Sequence, residues 1–366
     1  MSEYILILLW PAAMALFKRF VITEQIETVH GEKKTCTAWW FAILVFAPLI
    51  LMATNRGRIG DTSVYISAYG KMPNSISQLP AYYKGLGKDK WFYFTEALIH
   101  VFISRNYKVC FFFIAMFQGF SLIKLYRKYS PSYLLAIFIF MTCGDYISWM
   151  YNGIRQYVAV CICLLATPWM IEKKYVPSII VILIASRFHG TALLMIPIFF
   201  VCIGKPWNVR TLLMLLGVLL AISFVSQFTT WLDAVLDDTQ YTNVVTDWQT
   251  WNDDGTNPIR VLVYSIPTIL SLAGLRFILQ EDDVVINFCT NMSIVTAGLY
   301  LLSMVTSGIF IGRLPIYASL YSNGILLPWE LDRIFNSDSS RYMKGAAVIG
   351  FVLFYIYQMR FQWSFF

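Results

Sequence analysis

The sequence is poor in charged residues. Asp, Glu, Lys and Arg make up 13% of its 366 residues, whereas 58% of the residues are hydrophobic and the mean hydropathy is +0.61. Soluble domains are about 25% charged, so this composition excludes a soluble enzyme, a disordered chain and a secreted disulfide scaffold. The net charge of 28 − 21 = +7 is interpreted through the sidedness of membrane loops and gives no signal for nucleic acid.

The motifs of several enzyme classes are also missing. The chain has no P-loop, no Gly-x-Gly-x-x-Gly fingerprint, no His-Glu-x-x-His motif and no Gly-x-Ser-x-Gly elbow. These absences argue against ATP-driven transport and metal-dependent hydrolysis, and we expect neither a metal nor a cofactor. The seven cysteines are scattered, and Cys161 and Cys163 have no nearby His or acid. We interpret them as small buried hydrophobic residues.

Long apolar runs are abundant instead. A spanning helix needs about 20 mostly apolar residues, and the chain has eleven apolar segments, several of them short. They predict an all-α integral membrane protein, with roughly 10–11 transmembrane or re-entrant helices in one polytopic domain, 1–366. The segments are 4–22, 39–54, 107–123, 132–151, 155–171, 176–203, 211–230, 259–278, 287–311, 314–329 and 345–361. Glu3 precedes the first run and Lys18-Arg19 follows it, the reverse of a signal peptide, so we expect a retained span.

Lys and Arg in short loops mark the cytoplasmic side of a membrane protein. These residues are Lys18, Arg19, Lys33, Lys34, Lys124, Arg127, Lys128, Lys173, Lys174, Lys205, Arg210, Arg333, Arg341 and Lys344. The loop 230–257 has six Asp and neither Lys nor Arg, so we predict that it is external.

The run 176–203 has cytoplasmic signals at both ends. We therefore predict a helical hairpin that enters the membrane and returns, with its turn at 187–190; the alternative is one long span. With the hairpin, the loop 55–106, the junction 152–156, the tip 187–189 and Arg313 fall on the external side. The loop 55–106 carries an amphipathic stretch from Trp91 to Phe102, predicted to lie on the bilayer or to pack on the spans.

Charged residues inside the membrane point to function. An unpaired arginine costs about 3 kcal/mol at a helix centre, so Arg155, Arg187 and Arg313 must be paired, lie near an interface or line water. The guanidinium offers a planar fork of donors that matches phosphate oxygens. These three residues are candidates for an anion site; the alternative is that they snorkel at the ends of spans.

Asn152, Gly153, Arg155 and Gln156 form the densest polar cluster between two apolar runs. A helix predicted to begin near Arg155 presents free backbone N–H groups to an anion, and Asn152 and Gln156 can bind sugar hydroxyls. The alternative is a capped hairpin turn.

Two residues are candidates for a general base. His189 lies within an apolar run beside Arg187 and can take a proton from an attacking hydroxyl; the alternative is a structural histidine. Asp61 follows Arg58, a candidate for the substrate anion, and precedes Tyr65, whose ring can stack on a sugar. Asp61 is a base or a sugar-hydroxyl acceptor, or it caps a helix.

The residues just described resemble those of the EpsG family of Wzy-type bacterial polysaccharide polymerases. The resemblance is carried by 151–159, by Glu172-Lys173-Lys174 and by 185–193, with Gly60-Asp61, Tyr65 and Arg313-x-Pro315 as further matches. The sequence departs from the family pattern at Thr62, where Tyr is frequent, and at Gly190-Thr191, where Ser or another small polar residue follows the histidine.

The resemblance implies a GT-C-like glycosyltransferase for exopolysaccharide, capsule or O-antigen. It would transfer a growing glycan from undecaprenyl pyrophosphate to a hydroxyl of a lipid-linked repeat unit. The site would face the periplasm or cell exterior from the bacterial cytoplasmic (inner) membrane, and would need no metal. The partners implied are undecaprenyl-pyrophosphate-linked oligosaccharides and the bilayer, with a flippase and a chain-length regulator as candidate protein partners. Arg155, Arg313 and Arg187 would stabilise the leaving pyrophosphate, and His189 or Asp61 would be the base.

Three other functions stay open from the residues alone. A different GT-C-type transferase would use a polyprenyl-phosphate sugar, and Asp61 would then be its external acid. A transporter of lipid-linked glycan would explain intramembrane arginines, although no internal repeat is present. An acyltransferase would use His189 as its base.

Overall fold

A computed structural model of the protein describes residues 2–17, 23–27, 33–57, 60–235 and 255–361. Several features of the sequence analysis lie outside these ranges: Lys18, Arg19, Arg58 and residues 236–254 of the acidic loop. The chain forms two compact units: residues 1–195 with 343–366 make the first, and residues 196–342 make the second. The single domain remains a prediction.

The first unit is built from helices that follow the apolar runs. The runs at 39–54 and 107–123 form the helices Trp39–Asn55 and Tyr107–Tyr129. The second helix is capped by Asn106, whose side chain accepts a hydrogen bond from the Lys108 backbone N–H. The helices are α1 Ser2–Leu16, α2 Trp39–Asn55, α3 Thr62–Gly70, α4 Leu79–Gly85, α5 Lys90–Phe102, α6 Tyr107–Tyr129, α7 Tyr133–Thr142, α8 Gly144–Tyr151, α9 Ile154–Leu165, α10 Thr167–Ile171 and α11 Tyr175–Phe188. A 3₁₀ turn, Gly190–Leu194, follows α11.

A short hairpin interrupts the helical pattern of the first unit. Strands β1 Thr23–Glu27 and β2 Lys33–Thr37 pair antiparallel, with Thr23 opposite Thr37. Arg127 of α6 donates from Nε to the Thr37 carbonyl over 2.6 Å and lies 4.2 Å above the Trp39 ring. The sequence predicts only a loop here, because runs of five residues are too short to give a clear period-2 signal.

The second unit places one long helix at its centre. The buried α17 packs against α13, α15 and α18, and Asp283 caps its start by accepting from the Val285 and Ile286 N–H groups. The helices are α12 Met195–Cys202, α13 Val209–Ser223, α14 Val225–Val235, α15 Pro258–Ala273, α16 Leu275–Glu281, α17 Val284–Met304, α18 Ile316–Tyr321 and α19 Leu327–Arg333. The last helix of the chain, α20 Ser337–Phe361, belongs to the first unit from Met343 onward.

The helices confirm an all-α membrane protein. Within the described residues, α6, α17 and α20 are long and apolar enough to span a membrane. Three bent pairs, α7 with α8, α13 with α14 and α15 with α16, raise this number to six if each pair is one span. Five shorter apolar helices add to these. The larger number of 10–11 crossings remains a prediction.

The predicted hairpin region is interrupted where its turn was expected. The helix α11 ends at Phe188, and His189 has extended backbone angles (φ −158°, ψ 125°) before the chain resumes as a 3₁₀ turn. A return of the chain to the face from which it came stays a prediction.

The amphipathic stretch of the loop 55–106 forms α5. It packs on α3, α6 and α11, with Phe92, Glu96 and His100 buried and Trp91 and Phe102 exposed. This arrangement agrees with the alternative in which the stretch covers the helical bundle.

The seven cysteines, all in described positions, are buried free thiols. Their interpretation as small hydrophobic residues is confirmed.

Candidate substrate site

Four segments of the first unit meet around Arg155. They are the start of α3, the start of α5, the junction between α8 and α9, and the end of α11. These segments come from three of the four features that the sequence predicts on the external side of the membrane: the loop 55–106, the junction 152–156 and the tip 187–189.

Arg155 is held by an acid that the sequence analysis did not select. Its Nη1 donates to Asp89 Oδ2 over 2.7 Å, and its guanidinium carbon lies 5.7 Å from the centre of the Tyr93 ring. The Asp89 side chain is only 4% exposed, whereas that of Arg155 is 30% exposed. The guanidinium is therefore paired on its protein side while part of it stays accessible to a substrate.

Asp89 reaches Arg155 through an unusual backbone conformation. It lies immediately before α5 with φ +48° and ψ +41°, in the left-handed region, and its side chain makes no capping hydrogen bond. Asp tolerates this region better than most residues. Burial raises the pKa of the Asp89 carboxyl, and the Arg155 guanidinium opposes that shift.

The junction between α8 and α9 is pinned by the start of α3. The Tyr65 hydroxyl donates to the Asn152 carbonyl over 3.3 Å. Gly60 has φ +56°, and a Cβ there would lie 2.5 Å from Asn152 Oδ1. A residue with a side chain would therefore clash as well as strain the backbone. The hydrogen bond from Tyr65 and the close approach of Gly60 to Asn152 together fix the turn that leads into Arg155.

The start of α9 has no side-chain cap. Gly153 is the cap residue and supplies no side-chain hydrogen bond, so the first N–H groups of this helix resemble those of helix starts that bind anions. Gln156, on the first turn, is 6% exposed.

Tyr65 lines the site as a buried side chain. It is 5% exposed and packs edge-on against Phe92, with ring centres 6.3 Å apart. Burial raises the pKa of its hydroxyl to about 12, although Arg155 opposes the shift. The hydroxyl thus stays protonated at neutral pH and acts as a donor. The ring has little surface left for stacking on a sugar.

His189 is held by its neighbour. The side chain is 8% exposed, and Nδ1 lies 2.8 Å from Thr191 Oγ1. A hydrogen bond at Nδ1 orients the ring and sets its tautomer. Thr191, one of the departures from the family pattern, thereby orients the histidine. The preceding Phe188 packs edge-on against Trp91, with ring centres 6.1 Å apart, which brings this end of α11 to the start of α5.

The other candidates are exposed. Asp61 is exposed at the start of α3 and makes no capping hydrogen bond, and Arg187 is exposed at the end of α11. Arg313 belongs to the second unit, where it is exposed at the end of the 3₁₀ turn Ile311–Arg313.

Arg56 is a further cation that the sequence analysis passed over. It follows α2, its guanidinium lies 4.0 Å from the Phe111 ring centre, and Nη1 donates to the Ala53 carbonyl over 3.1 Å. Its Nε and Nη2 are buried and have no hydrogen-bond partner among the described residues. Its position two residues before Arg58 is a sequence signal for a cationic site. However, a charged residue at the end of an apolar run is too common to identify Arg56 as a functional residue.

Among the described residues, no three His, Cys, Asp or Glu side chains are grouped closely enough to hold a metal ion.

Taken together, the apolar helices and this site define a helical membrane protein with a fixed cation and a buried imidazole close to helix ends. The family model named EpsG matches residues 39–365. The chain belongs to the EpsG family, and this membership indicates a polysaccharide polymerase-like role at a membrane. No curated protein and no solved structure matches the chain.

Proposed function

We propose that this protein is a polysaccharide polymerase of the Wzy type. It transfers a growing glycan from undecaprenyl pyrophosphate to a hydroxyl of a lipid-linked repeat unit. The observation that carries the proposal is Arg155, a partly accessible guanidinium fixed by Asp89 at the uncapped start of α9.

The reaction exchanges one bond for another. The acceptor oxygen attacks the anomeric carbon of the donor glycan, and the bond from that carbon to the pyrophosphate oxygen breaks. The leaving group keeps the electron pair and gains negative charge, which fixed cations stabilise. The acceptor proton passes to a base of the protein.

Arg155 is the principal ligand of the pyrophosphate. Arg187 and Arg58 add charge for the same group, and Asn152, Gln156 and Tyr65 hydrogen-bond the sugars or phosphates. Arg313 stays a candidate anion ligand on the strength of the sequence pattern alone. Arginines supply the positive charge that a metal supplies in other transferases, so we propose a metal-independent reaction.

His189 is the proposed base, because Thr191 fixes its ring and an imidazole titrates near neutral pH. Asp61 is the alternative base, since its carboxylate is exposed at the start of α3. Each assignment has its own test. His189→Gln keeps a side chain of similar size but removes the imidazole base, and Asp61→Asn does the same for the carboxylate base.

The proposal includes a GT-C-like architecture in the bacterial cytoplasmic membrane, with the site facing the periplasm or exterior. Lipid-linked donor and acceptor would enter from the bilayer, a flippase would deliver them, and a chain-length regulator would end the polymer.

The first experiment measures the size distribution of surface glycan in a deletion strain complemented with wild type or with Arg155→Ala. We expect a ladder of many repeats from the wild type, and a single repeat on the lipid carrier from the deletion and from Arg155→Ala. A control variant, Lys205→Ala, removes an exposed arm of an ion pair in the second unit and should keep the ladder.

Three results would contradict parts of the proposal. A full ladder in the deletion strain would refute polymerase function. A full ladder from Arg155→Ala, at matched protein level in the membrane, would refute the role of Arg155. Chain growth that stops on chelation with EDTA would refute metal independence.

A further inference from the structure

The first unit contains an apolar cavity beside Arg155. Its volume is about 270 Å³, and its walls include Phe92 and Ile99 of α5, Phe117 of α6, Val158 and Ile162 of α9, and Phe188 of α11. We call it the α5 cavity. Because an apolar cavity of about 150 Å³ binds benzene, this one has room for roughly ten carbon atoms.

The α5 cavity and the cationic site are built at the same helices, α5 and α9. Arg155, Val158 and Ile162 have the i, i+3, i+7 spacing that places them on one face of α9. Asp89, which holds Arg155, precedes α5 by one residue, and Phe92 on the first turn of α5 lines the cavity. Arg187 directly precedes the lining Phe188. An occupant would therefore have a negative group at one end of an apolar chain.

The cavity also opens to the surface of the unit. Thr95 and Phe113 line it and are exposed, and Phe113 lies on a face of α6 with the exposed residues Phe112, Met116 and Phe120. Such a continuous apolar face is typical of contact with lipid. A chain in the bilayer could enter the cavity sideways without crossing water.

The single acid in the wall is compatible with an apolar occupant. Glu96 is 2% exposed, its Oε1 lies 3.8 Å from Cys110 Sγ, and its Oε2 has no partner among the described residues. Burial raises the pKa of this carboxyl to about 8, so it is mostly neutral at pH 7. A neutral acid presents no charge to a hydrocarbon chain.

We propose that the α5 cavity binds the first isoprene units of the polyprenyl carrier, with its phosphates on Arg155. This inference rests on the proposed function, since it assigns the tail of the same substrate. The cavity fits one chain, whereas a membrane phospholipid has two. A single isoprenoid chain with phosphate at its end matches both the volume and the charge.

The test uses full-length protein in nanodiscs and polyprenyl pyrophosphate with a photoreactive diazirine in its first isoprene units. We expect labelling of α9 or α6, mapped by peptide mass spectrometry. Ile162→Trp and Ile99→Trp fill the cavity from two helices and should reduce labelling about tenfold. Leu165→Trp, a half-buried position on α9 outside the cavity, is the matched control and should label like the wild type.

A phosphatidic acid with the same diazirine separates the two sources of an anionic apolar chain. Equal labelling by this lipid would overturn the inference, because the cavity would then hold ordinary membrane lipid. Undiminished labelling in both filled variants, each with a wild-type size-exclusion profile, would also overturn it.

The readout is binding, so it is independent of chain growth. If the glycan ladder fails and labelling persists as expected, the α5 cavity stands as an isoprenoid phosphate site and only the polymerase function falls. If the ladder persists and labelling is insensitive to the filled variants, the cavity assignment alone is wrong.

Discussion

Asp89 in the first unit and Asp282 in the second share a backbone conformation. Their φ and ψ angles are +48° and +41° for Asp89, and +47° and +30° for Asp282. Each lies in a short link before a helix and pairs with a distant cation, Arg155 at 2.7 Å and Lys205 at 2.5 Å.

The two pairs differ in exposure. The Asp89 side chain is 4% exposed, and burial raises the pKa of its carboxyl. The Asp282 side chain is 50% exposed, and hydrogen bonds from Lys205 and Asn287 lower the pKa of its carboxyl. The same backbone conformation therefore gives an exposed ion pair at Asp282, and at Asp89 a buried carboxylate that holds the guanidinium of Arg155. The surroundings, and not the turn, decide the electrostatics.

The largest contrast is expected when each cation is exchanged for the other type. Arg155→Lys keeps the charge but loses the planar fork, so chain growth should fall about 10- to 100-fold as one charged hydrogen bond to pyrophosphate is lost. Lys205→Arg should leave the rate of chain growth unchanged. Initial rates of glycan elongation in proteoliposomes measure both. Equal rates for Arg155→Lys and wild type would show that only charge matters at this position.

The next contrast concerns the acids. Asp89→Asn removes the charge that orients Arg155, and it should lower the free energy of unfolding by about 1–2 kcal/mol, less than for a fully buried pair because Arg155 is partly exposed. Elongation should slow as well. Asp282→Asn should change both quantities much less, because exposed pairs contribute little. Thermal unfolding in detergent and elongation rates test both variants; equal loss from the two would remove the distinction drawn between the pairs.

An effect on stability alone is expected from the glycine that supports the junction at Asn152. Gly60→Ala should destabilise the protein by about 1–3 kcal/mol, because it adds a Cβ at positive φ that meets Asn152. Gly57→Ala is the matched control, since a Cβ there has no neighbour within 4 Å. Unfolding midpoints of the two variants should separate clearly. If they coincide, Gly60 does not fix the turn.

A pH-dependent difference should appear at Glu96. The folded-state pKa of about 8 lies above the ordinary value of 4.5, so the folded protein holds the proton more tightly. Its contribution to stability is complete below pH 4.5 and is lost as the pH rises toward 8, by at most about 1.4 kcal/mol per pH unit. Glu96→Gln should remove this slope. Unfolding temperatures of the two proteins from pH 5 to pH 8.5 measure it; parallel curves would show that Glu96 does not titrate in this range.

The smallest effect concerns the Asp282 ion pair, which is lost at acidic pH. Because the pKa of Asp282 is lowered in the folded state, its pairing stabilises above the ordinary value of 3.8 and is lost as the pH falls below it. Asp282→Asn should therefore differ from wild type only above that pH, and only slightly because the pair is exposed. Added salt should abolish the difference; a difference that survives high salt would show that the pair is better shielded than its exposure indicates.

The apolar runs predicted the helices well where the run was long. The run 107–123 became α6, and 39–54 became α2. The bend of 76° between α7 and α8 was not predicted, because Gly144 inside an apolar run is compatible with a straight helix. The apolar pattern did not predict the strands β1 and β2, because each strand is too short to show an alternating pattern.

The sequence by itself determined the class of protein, because burying so many apolar residues with so few charges requires lipid. It also determined the family and the candidate Arg155, since an arginine beside Asn152 and Gly153 between apolar runs is costly without a role. Only the tertiary structure decided that Asp89 holds Arg155, that Tyr65 lines the site, and that the α5 cavity lies beside them. The physical reason is that pairing and desolvation depend on which segments pack together. Asp89 and Arg155 are 66 residues apart, and no local pattern records how two such distant segments meet.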